Sequence, residues 1–165
     1  VTAHATSLAP AAGAFEAGAY HFPIRVYYED TDAGGIVYHA GYLKFAERAR
    51  TEFMRTLGWA HNRLAAELGV IWVVRRLLID YHRPARLDDC LVVTTVCNSL
   101  QGASIDISQH IRRGEVELTE LHLQIALLTP EGRPARVPPV LADALTPFIS
   151  QRTPQRPWTR QPSIQ

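Results

Sequence analysis

A chain of 165 residues is long enough for one domain with a real core and too short for two of ordinary size. Its composition, 47% hydrophobic and 20% charged, is that of a soluble globular protein, and a formal charge of +1 excludes a broad basic field for nucleic acid, so any anion site must be local. The longest apolar run, 68–74, is broken by Gly69 and closed by Arg75 and Arg76, far short of the roughly 20 residues of a transmembrane helix.

Residues 1–20 are rich in alanine but lack a basic n-region and carry an acid at Glu16, which argues against a secretory signal. They are expected to form a flexible N-terminal tail ahead of a single domain over 21–150. Ile24 to Tyr28 reads as a strand, and the bend of residues 29–40, Glu-Asp-Thr-Asp-Ala-Gly-Gly-Ile-Val-Tyr-His-Ala, follows it. A helix is predicted to open near Gly41, because Phe45, Ala46, Ala49, Phe53, Met54 and Leu57 recur at three- and four-residue steps and mark one buried stripe. Lys44, Glu47, Arg48, Thr51, Glu52 and Arg55 mostly fall off that stripe, and Gly58 is the expected stop. A shorter helix over 59–68 follows.

Segments 70–82, 90–100, 103–112 and 115–128 read as strands, separated by turn chemistry at 83–89, Gln101-Gly102 and Arg113-Gly114. Ser104, Asp106 and Ser108 alternate with Ile105, Ile107 and Gln109, giving one polar and one more apolar face. Short links between the last strands imply an antiparallel meander, and one long helix must bury its stripe against a sheet, which defines a two-layer α+β domain. A terminal helix is predicted within 140–149, and 151–165 reads as a C-terminal tail. Cys90 and Cys97 lie seven apart in one strand, pointing to opposite faces, so they cannot pair within it. Two such cysteines without metal spacing suit a reducing cytoplasm and act as small hydrophobes.

Chemistry is expected at the 29–40 bend. An acid held beside the free N–H groups of a helix start combines a base or nucleophile with a site for developing negative charge. Read alone, Asp30 and Asp32 are turn and cap residues, Gly34-Gly35 is a turn requiring positive φ, and His39 is a capping or packing residue. The other histidines, His82, His110 and His122 among them, show no ligand spacing, and no metal or cofactor is expected.

The segment Arg25-Val26-Tyr27-Tyr28-Glu29-Asp30-Thr31-Asp32-Ala33-Gly34-Gly35-Ile36-Val37-Tyr38-His39-Ala40, continued by Tyr42, Phe45 and residues 47–52, resembles the signature of the hotdog-fold acyl-CoA thioesterases. The subgroup it is most similar to is the YbgC type, associated with the Tol-Pal envelope system and related to 4-hydroxybenzoyl-CoA thioesterase. The similarity continues into Tyr81 and residues 84–89. It implies a hotdog fold, an antiparallel sheet wrapped around one long helix, and hydrolysis of an acyl-CoA thioester to a carboxylic acid and free CoA. It also implies Asp32 as nucleophile or general base, and a backbone N–H near His39 as oxyanion donor. The His39 imidazole and Tyr28 are supporting catalytic candidates. Gly35, Ile36, Val37 and Tyr38 are expected against the substrate, Phe45 and Trp72 beside an acyl slot, and Arg75, Arg76, Arg83 and Arg86 as candidates for the CoA phosphates. The resemblance further implies a cytoplasmic homo-oligomer, dimer or tetramer. Acyl carrier protein thioesters are an alternative substrate, and a non-catalytic acyl-CoA-binding scaffold of the Tol-Pal system is an alternative role.

Overall fold

The computed structural model describes residues 12–150. Its elements are β1 (Ala14–Glu16), β2 (Ala19–Arg25), α1 (His39–Thr56), α2 (His61–Leu68), β3 (Ile71–Tyr81), β4 (Cys90–Gln101), β5 (Ser104–Arg113), β6 (Val116–Leu128) and α3 (Pro139–Leu145), with single 3-10 turns at Tyr28–Asp30 and Thr146–Phe148. The six strands form one antiparallel sheet in the order β1-β2-β4-β5-β6-β3. The meander predicted from short links is β4-β5-β6. The link at 83–89 is not a hairpin, because β3 pairs with β6 and so lies at the far edge of the sheet.

The long helix lies against β4, β2 and β5. Its buried stripe, Phe45, Ala46, Ala49, Phe53 and Met54, meets Phe22, Ile24, Leu91, Val93, Ile105, Ile107 and Leu123 in one core. Each large side chain buried in this way stabilises the fold by about 1.5–3 kcal/mol. Gly58 ends the helix as expected, with φ of +81°.

Three boundaries differ from expectation. The part of the predicted N-terminal tail that is described is not a tail: β1 and β2 form a hairpin through residue 20, and Tyr20 is fully buried. Its hydroxyl accepts the Gly13 amide at 3.1 Å and meets Thr56 Oγ1 at 3.2 Å, tying the hairpin to the end of α1. The first predicted strand stops at Arg25, where the chain turns into the 3-10 helix of Tyr28–Asp30, and Asp30 acts as a cap by accepting the Tyr27 amide at 2.9 Å. The terminal helix ends at Leu145 and tightens to 3-10 at Pro147, whose ring cannot continue an α-helix. Residues 1–11 and the predicted C-terminal tail at 151–165 lie outside the described residues.

Cys90 is exposed and Cys97 buried, as opposite faces require. Burial, reinforced by nearby Asp106, pushes the Cys97 thiol up to about 12. Thiolates rather than thiols react with alkylating agents. Iodoacetamide on the native protein should therefore label Cys90 alone, with two labels only after denaturation; mass spectrometry of peptides checks it.

Candidate active site

The bend after Asp30 is held almost entirely by its own backbone. Asp32 N–H donates to the Ile36 carbonyl at 2.9 Å, and Gly35 N–H donates to the Asp32 carbonyl at 3.0 Å, closing a tight loop. Gly35 sits at φ +72°, a conformation that costs a side-chain-bearing residue roughly 1 kcal/mol or more. Asp32 Oδ1 accepts the Gly34 amide at 2.8 Å, and a methyl at position 34 would stand 3.1 Å from that oxygen. The glycine thus lets the carboxylate fold back over the turn. Oδ2 has no hydrogen-bond partner among the described residues and remains free for a substrate or water.

The bend delivers the chain to the start of α1. Val37 N–H donates to the Ala85 carbonyl and Tyr38 N–H to the Asp30 carbonyl, both at 2.9 Å, so the helix entry is fixed from two sides. His39 and Ala40 open the helix, and their amides precede the first i→i−4 bond; neither has a partner among the described residues. The helix dipole adds positive potential at the same place.

Asp32, Ile36, Val37, Tyr38, His39, Tyr42, Tyr81, His82, Arg83 and Pro84 line one cleft of about 380 Å³. Two tyrosines brace it. The Tyr42 hydroxyl, buried, accepts the Ala85 amide at 2.8 Å, and the Tyr81 hydroxyl donates to the His39 carbonyl at 3.0 Å. Burial pushes the Tyr42 phenol above its ordinary range, with the Ala85 amide opposing, and burial next to Tyr42 does the same for Tyr81. Both stay protonated. Tyr42→Phe strands the Ala85 amide and should cost about 1–3 kcal/mol, read as a lowered denaturant midpoint with unchanged slope.

Of the residues singled out from sequence, Asp32, His39, Ile36, Val37 and Tyr38 come together in the cleft, and Gly35 shapes the turn beneath them. Tyr28 does not join them: its ring is exposed and borders a separate surface hollow with Tyr27, Glu29, Leu87 and Asp88. Arg75 and Arg76 lie outside the cleft, on the exposed edge strand β3 at a register shift between Val74 and Arg76. Phe45 belongs to the core, and Trp72 is partly buried at the margin of that core cluster. Tyr81 and His82 were not expected as cleft walls. Their signal was the abrupt end of the β3 pattern at the turn residues Arg83 and Pro84, which aims the last strand positions at the helix start.

An acid that shares a cleft with His39, the first residue of a long helix whose amide has no partner among the described residues, is an arrangement that can serve acyl transfer. Residues 34–120 match the thioesterase superfamily, and the chain belongs to that family, whose hotdog architecture it shares. Among its relatives, the acyl-CoA thioesterase YbgC of Haemophilus influenzae is 48% identical over 107 residues, covering 65% of this chain and 79% of that protein. The acyl-CoA thioester hydrolase YbgC of Escherichia coli O157:H7 is 49% identical over 96 residues, 58% of this chain and 71% of the relative. The crystal structure of a probable thioesterase from Bartonella henselae superimposes with a TM-score of 0.71 at 41% identity, over 73% of this chain and 99% of that one.

Proposed function

We propose that this protein is an acyl-CoA thioesterase, with Asp32 as its acid and the His39 and Ala40 amides as its oxyanion donors. The single observation that carries the reading is the common cleft of Asp32 and the α1 tip. Acting as a base, Asp32 takes a proton from water while the water oxygen bonds to the thioester carbon. The carbonyl oxygen becomes an oxyanion facing the helix amides. Collapse breaks the C–S bond, and the departing sulfur takes the proton as free CoA. Direct attack by Oδ2 reaches the same products through a mixed anhydride that water then opens. The two routes differ in where isotope goes: a single turnover in ¹⁸O-water labels Asp32 only if it is the nucleophile. His39 stands on the cleft wall, where its imidazole can assist proton transfer to the leaving group.

Arg83, on the cleft rim, is the best-placed cation for a CoA phosphate. Arg75 and Arg76 reach a substrate only if a second copy joins along β3. That edge is long and presents Ile71, Val74, Leu77, Leu78 and Tyr81 partly to solvent, which favours a homodimer with clefts near the boundary, alone or paired as a tetramer. Light scattering that gives a monomer at micromolar concentration would remove the dimer. No described helix is long and apolar enough to cross a membrane, and two free cysteines favour a reducing compartment such as the cytoplasm for the enzyme.

Thiol release measured across short, long and aromatic acyl-CoAs, with the same acyl groups on acyl carrier protein, tests the reading. Turnover on CoA carriers exceeding that on the protein carrier is expected. Preference for the protein carrier would reassign the substrate, and tight acyl-CoA binding without thiol release would make the protein a binding scaffold.

A further inference from the structure

Beside the cleft, and sharing only His82 with it, the outer face of β5 and β6 carries a cluster that the proposed thioesterase chemistry does not use. A ring nitrogen of His82 and one carboxylate oxygen each of Glu117 and Glu120 lie within 4.8 Å of one another. His110 Nδ1 stands 2.7 Å from Glu117 Oε1, and His122 Nε2 stands 3.0 Å from Glu120 Oε1. Three imidazoles and two carboxylates from two adjacent strands and the turn after β3 therefore converge.

Glu117 and Glu120 are three apart in β6 and would point to opposite faces of a regular strand. A bulge reverses this. Ile111 pairs with Thr119 but Arg112 with Glu117, so Leu118 is an extra residue facing no partner in β5. Leu118 and Thr119 both turn into the core, which leaves Glu117 and Glu120 together on the outer face. The same residue fixes the third member, since the Leu118 carbonyl accepts the amides of His82 and Arg83 at 2.8 and 3.1 Å.

Charge on this face is unbalanced. Asp80 is directly opposite Glu120 across the β3–β6 pair, a like-charge neighbour that is unfavourable unless a cation lies between. Among the described residues the guanidinium paired on this face is that of Arg112, half exposed, whose Nη2 meets Glu117 Oε2 at 3.0 Å, while Glu120 meets only the His122 imidazole and Asp80 has no ion pair.

We propose that His82, Glu117 and Glu120 form a binding site for a divalent transition cation of the zinc class, beside the cleft that His82 also lines. Nitrogen plus carboxylate donors suit zinc better than magnesium or calcium, which take oxygen alone. Bonds of about 2.0–2.2 Å require donor atoms roughly 3.4 Å apart in a tetrahedron, a closure within reach of three surface side chains by rotation. His110 and His122 then act from behind, each holding one of the ligating carboxylates in place. Occupancy would anchor His82 and with it one wall of the cleft.

The test uses tag-free protein carrying Cys90→Ser, which removes the exposed thiol as a competing ligand. Zinc is titrated against a chromogenic chelator, with magnesium as the comparison ion. One zinc per chain is expected, with affinity lowered about tenfold or more in Glu120→Gln and again in Glu117→Gln. Zinc should also raise the melting temperature of the parent and not of either variant. Sub-stoichiometric binding by the parent, variants that bind zinc as tightly as the parent, or an equal response to magnesium overturns the proposal. None of these readouts depends on thioester hydrolysis.

Discussion

Asp32→Asn should lower the rate of thiol release from a good acyl-CoA substrate by about 10²–10⁴-fold while leaving the melting temperature unchanged. The substitution keeps the shape, and an amide oxygen can still accept the Gly34 N–H that Oδ1 accepts now. Only the charge and basicity of the free oxygen are lost. Because that oxygen acts on the reacting atoms rather than on substrate binding, kcat and kcat/KM should fall together. Retained turnover in a folded Asp32→Asn protein would remove this residue from the chemistry and leave the imidazoles of His39 and His82 as the bases lining the cleft.

The second large effect is on stability and lies at the middle of α1. Arg50 is 5% exposed, with Nη1 donating to Gln109 Oε1 at 2.6 Å and Nη2 to Glu47. The Gln109 side-chain amide, fully buried, donates in turn to the Ala46 carbonyl at 3.0 Å and to Thr95 Oγ1 at 2.9 Å. One glutamine therefore ties the helix to β4 and β5. Burial pulls the Arg50 guanidinium down from its ordinary range, with Glu47 opposing, yet a guanidinium keeps its charge inside a protein. Gln109→Leu leaves that charge short of an acceptor and strands the Ala46 carbonyl, which should cost about 3 kcal/mol. For a chain of this size that is a fall of about 6–12 °C in Tm. The double variant Arg50→Leu with Gln109→Leu should recover part of the loss, since removing both partners leaves no buried charge unpaired. A single-variant shift under about 2 °C would show that water reaches Arg50 and replaces the glutamine.

The parts of this molecule legible in its sequence are those that rest on period and punctuation. The three-four spacing of Phe45, Ala49 and Phe53 located the helix stripe, and alternation in 104–109 located the inner and outer faces of β5. Asp32 and His39 became neighbours in the cleft because a glycine turn and a helix start are local features. Long-range relations were not legible. The spacing sets Arg50 on the buried stripe, but the acceptor that accommodates it there, Gln109, lies far along the chain. Glu117 reads as facing away from Glu120 until the bulge at Leu118 resets the strand phase. The alanine and glycine around 12–20 conceal a hairpin because its anchoring is carried by two aromatic rings, Phe15 and Tyr20, packed on Phe53. That Tyr28 lies outside this cleft was not legible either, because the 3-10 turn at Tyr28–Asp30, closed by the Asp30 carboxylate on the Tyr27 amide, interrupts the strand alternation read from Ile24 onward.

The position of β3 at the rim of the sheet sets a practical rule for handling this protein. Along its eleven residues the backbone donors and acceptors on the side away from β6 have no neighbouring strand among the described residues, and with Val74 and Leu78 exposed they are a template that any extended peptide can copy. A lysine at Val74, which is exposed, guards this edge against such pairing without shortening the strand.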